Sequence, residues 1–564
     1  MSRTISYSLE IIFYSAAALL GTALSASGQA IPVQREVREV HHDVSPAVLN
    51  MPKATSFRAV RREAVPLHRI PLPPGLKPAA LPDSVLQIPS ARLASTLLPP
   101  ISRSFPGIGQ GAYGFNIASQ PPDMNGAAGQ TQYMQWANDA FAVFDKSTGV
   151  LIAGPTDGSA LWAGFGGLCE SAGTGDGVVV YDRVANRWVV SQMAFKIDAK
   201  DHPIPPYFEC VAVSTTPDAT GTYNRYSFDF GTDFNDYPKM SVWPDAYYIT
   251  YNIFPNNGDF TRGESCAYDR NAMINSQSTT PICFFTADQG GLLASDLDGK
   301  TTPPPGSPDY IVQFGSNVLN LWKFHPDFTD PKNSTFTGPT VIPVASFSAL
   351  CDGGVCVPQR NVTQQLDSLG FTLMNRLAYR NFGSHESLVV NHSVAEGNAG
   401  GIRWYEIQNP NGTPLIAQQS TFAPDSNYRW IGSIAMDHAG DIALGYSKSS
   451  NLMFPSIAFT GRSPGDPPST MEAESTVING TGSQTNTPTA KFGERWGDYS
   501  AMQVDPVDDC TFWYTQEYYK TSGDFKWSTQ IVSFKFPNCS TTSWSQSPSL
   551  GGLSHGLASK HRLK

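Results

Sequence analysis

The run GERWGDYS (493–500) sets two carboxylates, Glu494 and Asp498, on either side of Trp496, with Arg495 between them. A carboxylate pair can cleave a glycosidic bond when one member holds a proton. The two must stand about 5–5.5 Å apart for retention, or about 6.5–9.5 Å for inversion. Glu494 and Asp498 are therefore the local catalytic candidates, with Asp123 and Asp176 as partners across a channel. Arg376, Arg429 and Arg495 are the arginines that would clamp an acidic sugar. Trp430, Trp496 and Tyr237 supply faces on which sugar rings stack, and Lys239, like Asp236, supplies charge beside them. The simpler reading is that these Asp and Arg groups pair with one another or close turns.

Other chemistry-bearing runs fail on context. GRSPG (461–465) has the spacing of a nucleophile elbow, but Pro464 removes the N–H an oxyanion hole needs. GKT (299–301) lacks the earlier glycine of a phosphate loop. His385 and Glu386 are adjacent, and neighbouring strand residues point to opposite faces, so they do not share a site with each other. SDLDG (295–299) is acidic enough for a structural calcium ion, though too short for an EF-hand loop; no other cofactor is expected.

The elements that must position the candidates repeat along the chain. SIAMDHAGDIALGYS (433–447) and AMQVDPVDDCTFWYT (501–515) align Asp437 with Asp505, Asp441 with Asp509 and Tyr446 with Tyr514. Each is a strand, a turn opened by Asp, and a second strand; the Asp carboxylate bonds the backbone two residues on. VVVYDRVANRWVVSQMAF (178–195) follows the same plan, and looser copies begin near 123, 238, 309 and 376. Seven units with starts near 123, 176, 238, 309, 376, 430 and 497 predict an all-β, seven-bladed β-propeller, with six blades as the alternative. In such a ring the innermost strands line an axial channel, and the candidates above fall at the starts of those strands.

PPDMNGAAGQTQYMQWANDAFAVFDKSTG, YPKMSVWPDAYYITYN and ERWGDYSAMQVDPVDDCTFWYTQEY resemble segments of exported bacterial β-propeller proteins of the sialidase-like superfamily. The resemblance spans roughly 105–539. It implies the fold and leaves activity open, because propellers host unrelated functions. ASDLDGKTT (294–302) approaches the sialidase Asp box but has the wrong Ser–Asp spacing.

Composition bounds the rest. Of the 564 residues only 15% are charged, against roughly 25% in an ordinary soluble domain, and 49 Gly with 44 Pro disfavour long helices. A net charge of −10 argues against nucleic-acid partners. Residues 1–26 read as a secretory signal peptide, with Arg3 ahead of an apolar stretch too short to span a bilayer. Residues 27–104 hold many prolines and read as a disordered linker or pro-segment. Residues 105–539 form the propeller, and 540–564 a Ser-rich basic tail. The eight cysteines of an exported chain predict disulfides: Cys169–Cys210, Cys266–Cys283, Cys351–Cys356 and Cys510–Cys539, with zinc as the minor alternative.

The expectation is a secreted or periplasmic monomer with no membrane span. It binds a glycan or another exported protein at the axial mouth. The rivals are a sialidase-like glycoside hydrolase or lyase, and a structural envelope protein.

Overall fold

The computed structural model describes residues 33–51, 63–64, 68–76, 83–87, 98–117, 119–172, 175–198, 202–485 and 494–539. The segments expected as signal peptide (1–26) and basic tail (540–564) lie outside them. None of the described helices is long and apolar enough to cross a membrane.

Among the described residues, seven antiparallel groups of four or five strands follow one another along the chain. Their first strands are Met124–Ala128, Val178–Asp182, Asp233–Val242, Leu293–Asp298, Met374–Asn381, Tyr428–Met436 and Ala501–Val504. Each first strand neighbours the next, and the last neighbours the first, so the groups form a closed ring around these inner strands. Between the fourth and fifth groups the contact is a parallel ladder, Ser295–Asp298 on Leu377–Arg380. The architecture is a β-propeller.

The ring is closed by chain segments distant in sequence. The seventh group takes its outer strand, Ile101–Gly109, from ahead of the first, antiparallel to Trp527–Phe534. Phe105 of that strand packs on Phe144 of the first group and Trp513 of the seventh, with ring centroids 5.5 and 6.4 Å apart. Strands such as Phe512–Tyr519 are buried on both faces, because each group is covered by its two neighbours. They therefore read as aromatic runs rather than strict alternations. Gly177 shows how close the groups approach: a Cβ there would stand 1.8 Å from Trp136 Nε1 of the preceding group.

Three expectations change. The fourth inner strand is Leu293–Asp298, so the unit assigned to start near 309 begins one strand earlier; Asp309–Gly315 is its second strand. SDLDG is that inner strand and not a calcium loop, since guanidinium groups already hold Asp296 and Asp298. The stretch 27–104 is not simply a linker. Val33–Glu36 and Arg38–Val44 add fifth strands to the third and second groups, and Asp43 takes two hydrogen bonds from Arg225, at 2.7 and 2.6 Å. The physical reason is local: no proline falls between Pro32 and Pro46, so every N–H there is free to join a ladder.

The four disulfides pair as expected, Cys169–Cys210, Cys266–Cys283, Cys351–Cys356 and Cys510–Cys539. No free thiol is left for zinc among the described cysteines. The Asp turns also form: Asp182 Oδ1 accepts from Val184 N and Ala185 N, Asp437 Oδ1 from Ala439 N, and Asp505 Oδ1 from Val507 N.

Candidate functional site

The two ends of the inner ring differ in chemistry. Where the inner strands finish, ion pairs brace one group against another. Arg376 binds Asp296 at 2.6 Å and Asp298 at 2.8 Å, and donates to the Met502 carbonyl. Arg183 reaches Asp298 at 2.7 Å, Arg380 reaches Asp509 at 2.9 Å, and Lys146 reaches Asp505 at 2.9 Å. These pairs link five of the seven groups, and their carboxylates are engaged by cations.

Where the inner strands begin, acids gather instead. One cavity is lined by Asp123, Asp176, Asp236 and Asp498, with Arg495, Tyr237, Asn138, Asn252 and the apolar faces of Phe195, Phe234 and Phe371. Asp123, Asp176 and Tyr237 take left-handed backbone conformations, with φ of 39°, 51° and 60°. Such backbone costs of order 1–3 kcal/mol per residue and persists where the surrounding structure imposes it. Here the polar network does so: Asp123 Oδ1 accepts from Asp498 N at 2.7 Å, and Asn138 donates to Asp123 Oδ2 at 3.2 Å. In the third inner strand the register shifts between Asp236 and Lys239, which brings both toward the axis.

The carboxylates outnumber the cations. Arg495 is paired with Asp498 at 2.7 Å. Lys239, buried, has its ammonium 3.3 Å from the ring centroid of Tyr237 and 4.0 Å from that of Tyr499. Burial, followed by the charges of Asp498 and Asp176, holds the Asp123 carboxyl well above the usual range. Burial and the Asp236 charge push Asp176 up to about 7. Burial lowers Lys239 to about 8 against the pull of the acids around it. Behind this layer Glu209, fully buried, accepts from Asn235 Nδ2 at 3.0 Å, and burial pushes it up to about 8.

The expected residues divide. Asp123, Asp176, Asp498, Arg495 and Tyr237 line the cavity, and Lys239 sits against it. Glu494 is outside the lining; its carbonyl accepts from Asp367 N at 2.8 Å. Arg376 belongs to the ion pairs at the opposite end, and Arg429 is buried against Glu474 and Asp425, at 2.9 and 2.8 Å. The three arginines do not converge with one another. Trp430 and Trp496 are fully buried, their centroids 5.5 Å apart, and act as core rather than as platforms for a ligand. His385 and Glu386 separate as expected: Glu386 accepts from Tyr379 Oη at 2.6 Å, while His385 stacks on Phe382 at the surface.

The sequence reading missed Asn138, Asn252, Tyr499 and Phe371. Tyr499 adjoins Asp498 in GERWGDYS and was within reach; Asn138 and Asn252 lie inside marked repeat units but away from their starts, and Phe371 lies in a connection. It also missed His68, which enters the cavity from the Pro-rich segment.

No family model and no curated protein matches the chain. Among solved structures, similarity is found to an exo-β-1,3-galactanase from Phanerochaete chrysosporium. The identity is 10% over 61% of this chain and 77% of that one, with a TM-score of 0.29. The WD40 domain of SCAP from fission yeast aligns at 10% identity over 72% of this chain and 82% of its own, TM-score 0.27. A protein of unknown function from Dyadobacter fermentans aligns at 11% identity over 64% and 94%, TM-score 0.27. At these values nothing about activity transfers to this chain; the propeller rests on the strand order above.

Proposed function

We propose that this is an exported β-propeller that binds a glycan at the axial mouth lined by Asp123, Asp176, Asp236 and Asp498. The observation that carries the reading is the collection of four carboxylates from four inner-strand starts in one cavity, beside two amides and several aromatic edges. Carboxylates and amides accept and donate hydrogen bonds to hydroxyls, and the phenyl groups cover the apolar face of a ring. The one guanidinium in the lining, Arg495, is already paired with Asp498, which disfavours an acidic sugar, favours a neutral or amino-bearing one and runs against a sialidase-type specificity. Four disulfides accord with export.

One observation favours a second reading, hydrolysis at the same place. Asp176, pushed up to about 7, holds a proton near neutrality beside other carboxylates, as a general acid must. A glycan panel read for both retention and release tests the two together. Binding predicts retention of neutral or amino-bearing glycans that is lost in Asp236→Asn. Hydrolysis adds release that Asp176→Asn abolishes. Retention of sialylated glycans alone, or retention indifferent to Asp236→Asn, overturns the reading.

A further inference from the structure

The cavity at the axial mouth is small, and part of its wall comes from the N-terminal segment of the same chain. Its volume is about 30 Å³. That is room for a water or two, whereas small-molecule sites run from roughly 300 Å³ upward. His68 lines this cavity from the N-terminal segment. Its Nδ1 stands 3.4 Å from Asp236 Oδ2, and its ring lies against Phe234 and Phe254, with centroids 5.2 and 4.9 Å away. Arg69 follows, paired with Asp367 at 3.0 Å, and Ile70 is buried in the core beside Gly291. Leu72 packs near Gly353.

This strap is fastened differently from the rest of the N-terminal segment. Val33–Glu36 and Arg38–Val44 lie in backbone ladders. Among the described residues, the one backbone hydrogen bond donated within 68–76 is local, from Leu76 N to Pro73 O at 3.1 Å. Prolines at 71, 73 and 74 remove three donors outright. The strap is therefore held by side chains: His68 on Asp236 and Asn257, and Arg69 on Asp367. The His68–Asp236 contact is 3.4 Å long, and the arginine of the second pair is half-exposed while its Asp367 partner is buried. Firm anchors flank it: Glu63–Ala64 pairs in parallel with Ser119–Gln120, and Asp83 binds Arg403 at 2.7 Å. A strap fixed at both ends and held between them by side chains, without backbone ladders, can lift without leaving the molecule.

We propose that residues His68–Leu72 are a resident occupant of the axial mouth, an internal cap whose basic head stands where the ligand's polar group goes, and that ligand enters as the cap lifts. This rests on the ligand-site reading above and adds its regulation. A tethered occupant acts at an effective concentration in the millimolar range, so the unmodified chain disfavours any competitor in trans.

The test uses the full chain, a fluorescent peptide of residues 68–76 (HRIPLPPGL), and the glycan panel. The cap predicts that the peptide binds the variant H68A/R69A at least 10-fold more tightly than the unmodified chain. Adding D236N to that variant removes the gain. Equal binding to both chains, or binding insensitive to D236N, overturns the proposal. The glycan arm separates the cap from the function it regulates. Glycans retained more strongly by H68A/R69A support both. Glycans retained equally by both chains overturn the cap and leave the function standing. No glycan retained by either chain, with the peptide arm as predicted, overturns the glycan reading and keeps the cap. If H68A/R69A does not fold, hydrogen exchange on the unmodified chain decides. Amides 68–70 and 72 exchange faster when a retained glycan is added if the cap lifts, and at an unchanged rate if it does not.

Discussion

Asp176→Asn tests the electrostatics of the axial mouth without knowledge of any ligand. Asp176 is pushed up from 3.8 to about 7, so its folded pKa lies above its unfolded one. Below about pH 4 folded and unfolded chains both carry the proton. Between about pH 4 and 7 the folded chain keeps it while the unfolded chain has lost it. Stability therefore falls as pH rises through that window. At 1.36 kcal/mol per pKa unit the ceiling is about 4 kcal/mol. The residue is only half-buried and shares its field with Lys239 and Asp498, so about half of that, near 2 kcal/mol, is the working figure. Asparagine keeps the shape and removes the charge. Urea unfolding should show Asp176→Asn and the unmodified chain equally stable at pH 4. At pH 8 the variant should be more stable by about 2 kcal/mol. With roughly 450 ordered residues contributing about 2.1 cal/mol/K each to the unfolding entropy, that is about 2 °C in Tm. A difference that is the same at both pH values, or a variant less stable at pH 8, refutes the crowding of carboxylates at this mouth.

Three further outcomes follow from the same structure. Arg376→Met leaves Asp296 and Asp298 buried without that partner and should cost about 3–5 kcal/mol in urea unfolding, while leaving glycan retention at the opposite end intact. Phe105→Ala opens the seam between the first and seventh groups and should cost about 3–5 kcal/mol in the same assay. Glu209→Gln removes a carboxyl that burial pushes up to about 8. It should flatten the fall in stability between about pH 5 and 8 and stabilise the protein most at the alkaline end, read by Tm across that range.

The repeat was legible because its turns are chemically marked. Asp182, Asp437 and Asp505 each bond the backbone beyond them, and that local need is written in the residue type. The fourth unit hid because its inner strand, LASDLD, carries acids that look solvent-facing; Arg376 and Arg183, distant in sequence, make them interior. Asp123, Asp176, Asp236 and Asp498 could be anticipated as strand-start residues once a ring was assumed. The fates of Arg376 and Arg429 could not, because which end of a strand faces a ligand depends on contacts between groups. Trp430 and Trp496 show the same limit: an aromatic beside a charge reads alike whether it is a platform or core. The edge strands at 33–44 were obscured by averaging over a proline-rich stretch whose prolines lie outside them. His68 carries no sequence signal at all, since its partner Asp236 is set by the path of the strap.

The most direct test is a crystal structure of the full-length protein with the glycan it retains best. The account predicts the sugar at the starts of the inner strands, hydrogen-bonded to Asp176 or Asp236, with His68 displaced from its contact. A sugar bound on the outer strands or at the Arg376 end, with His68 still against Asp236, would contradict it.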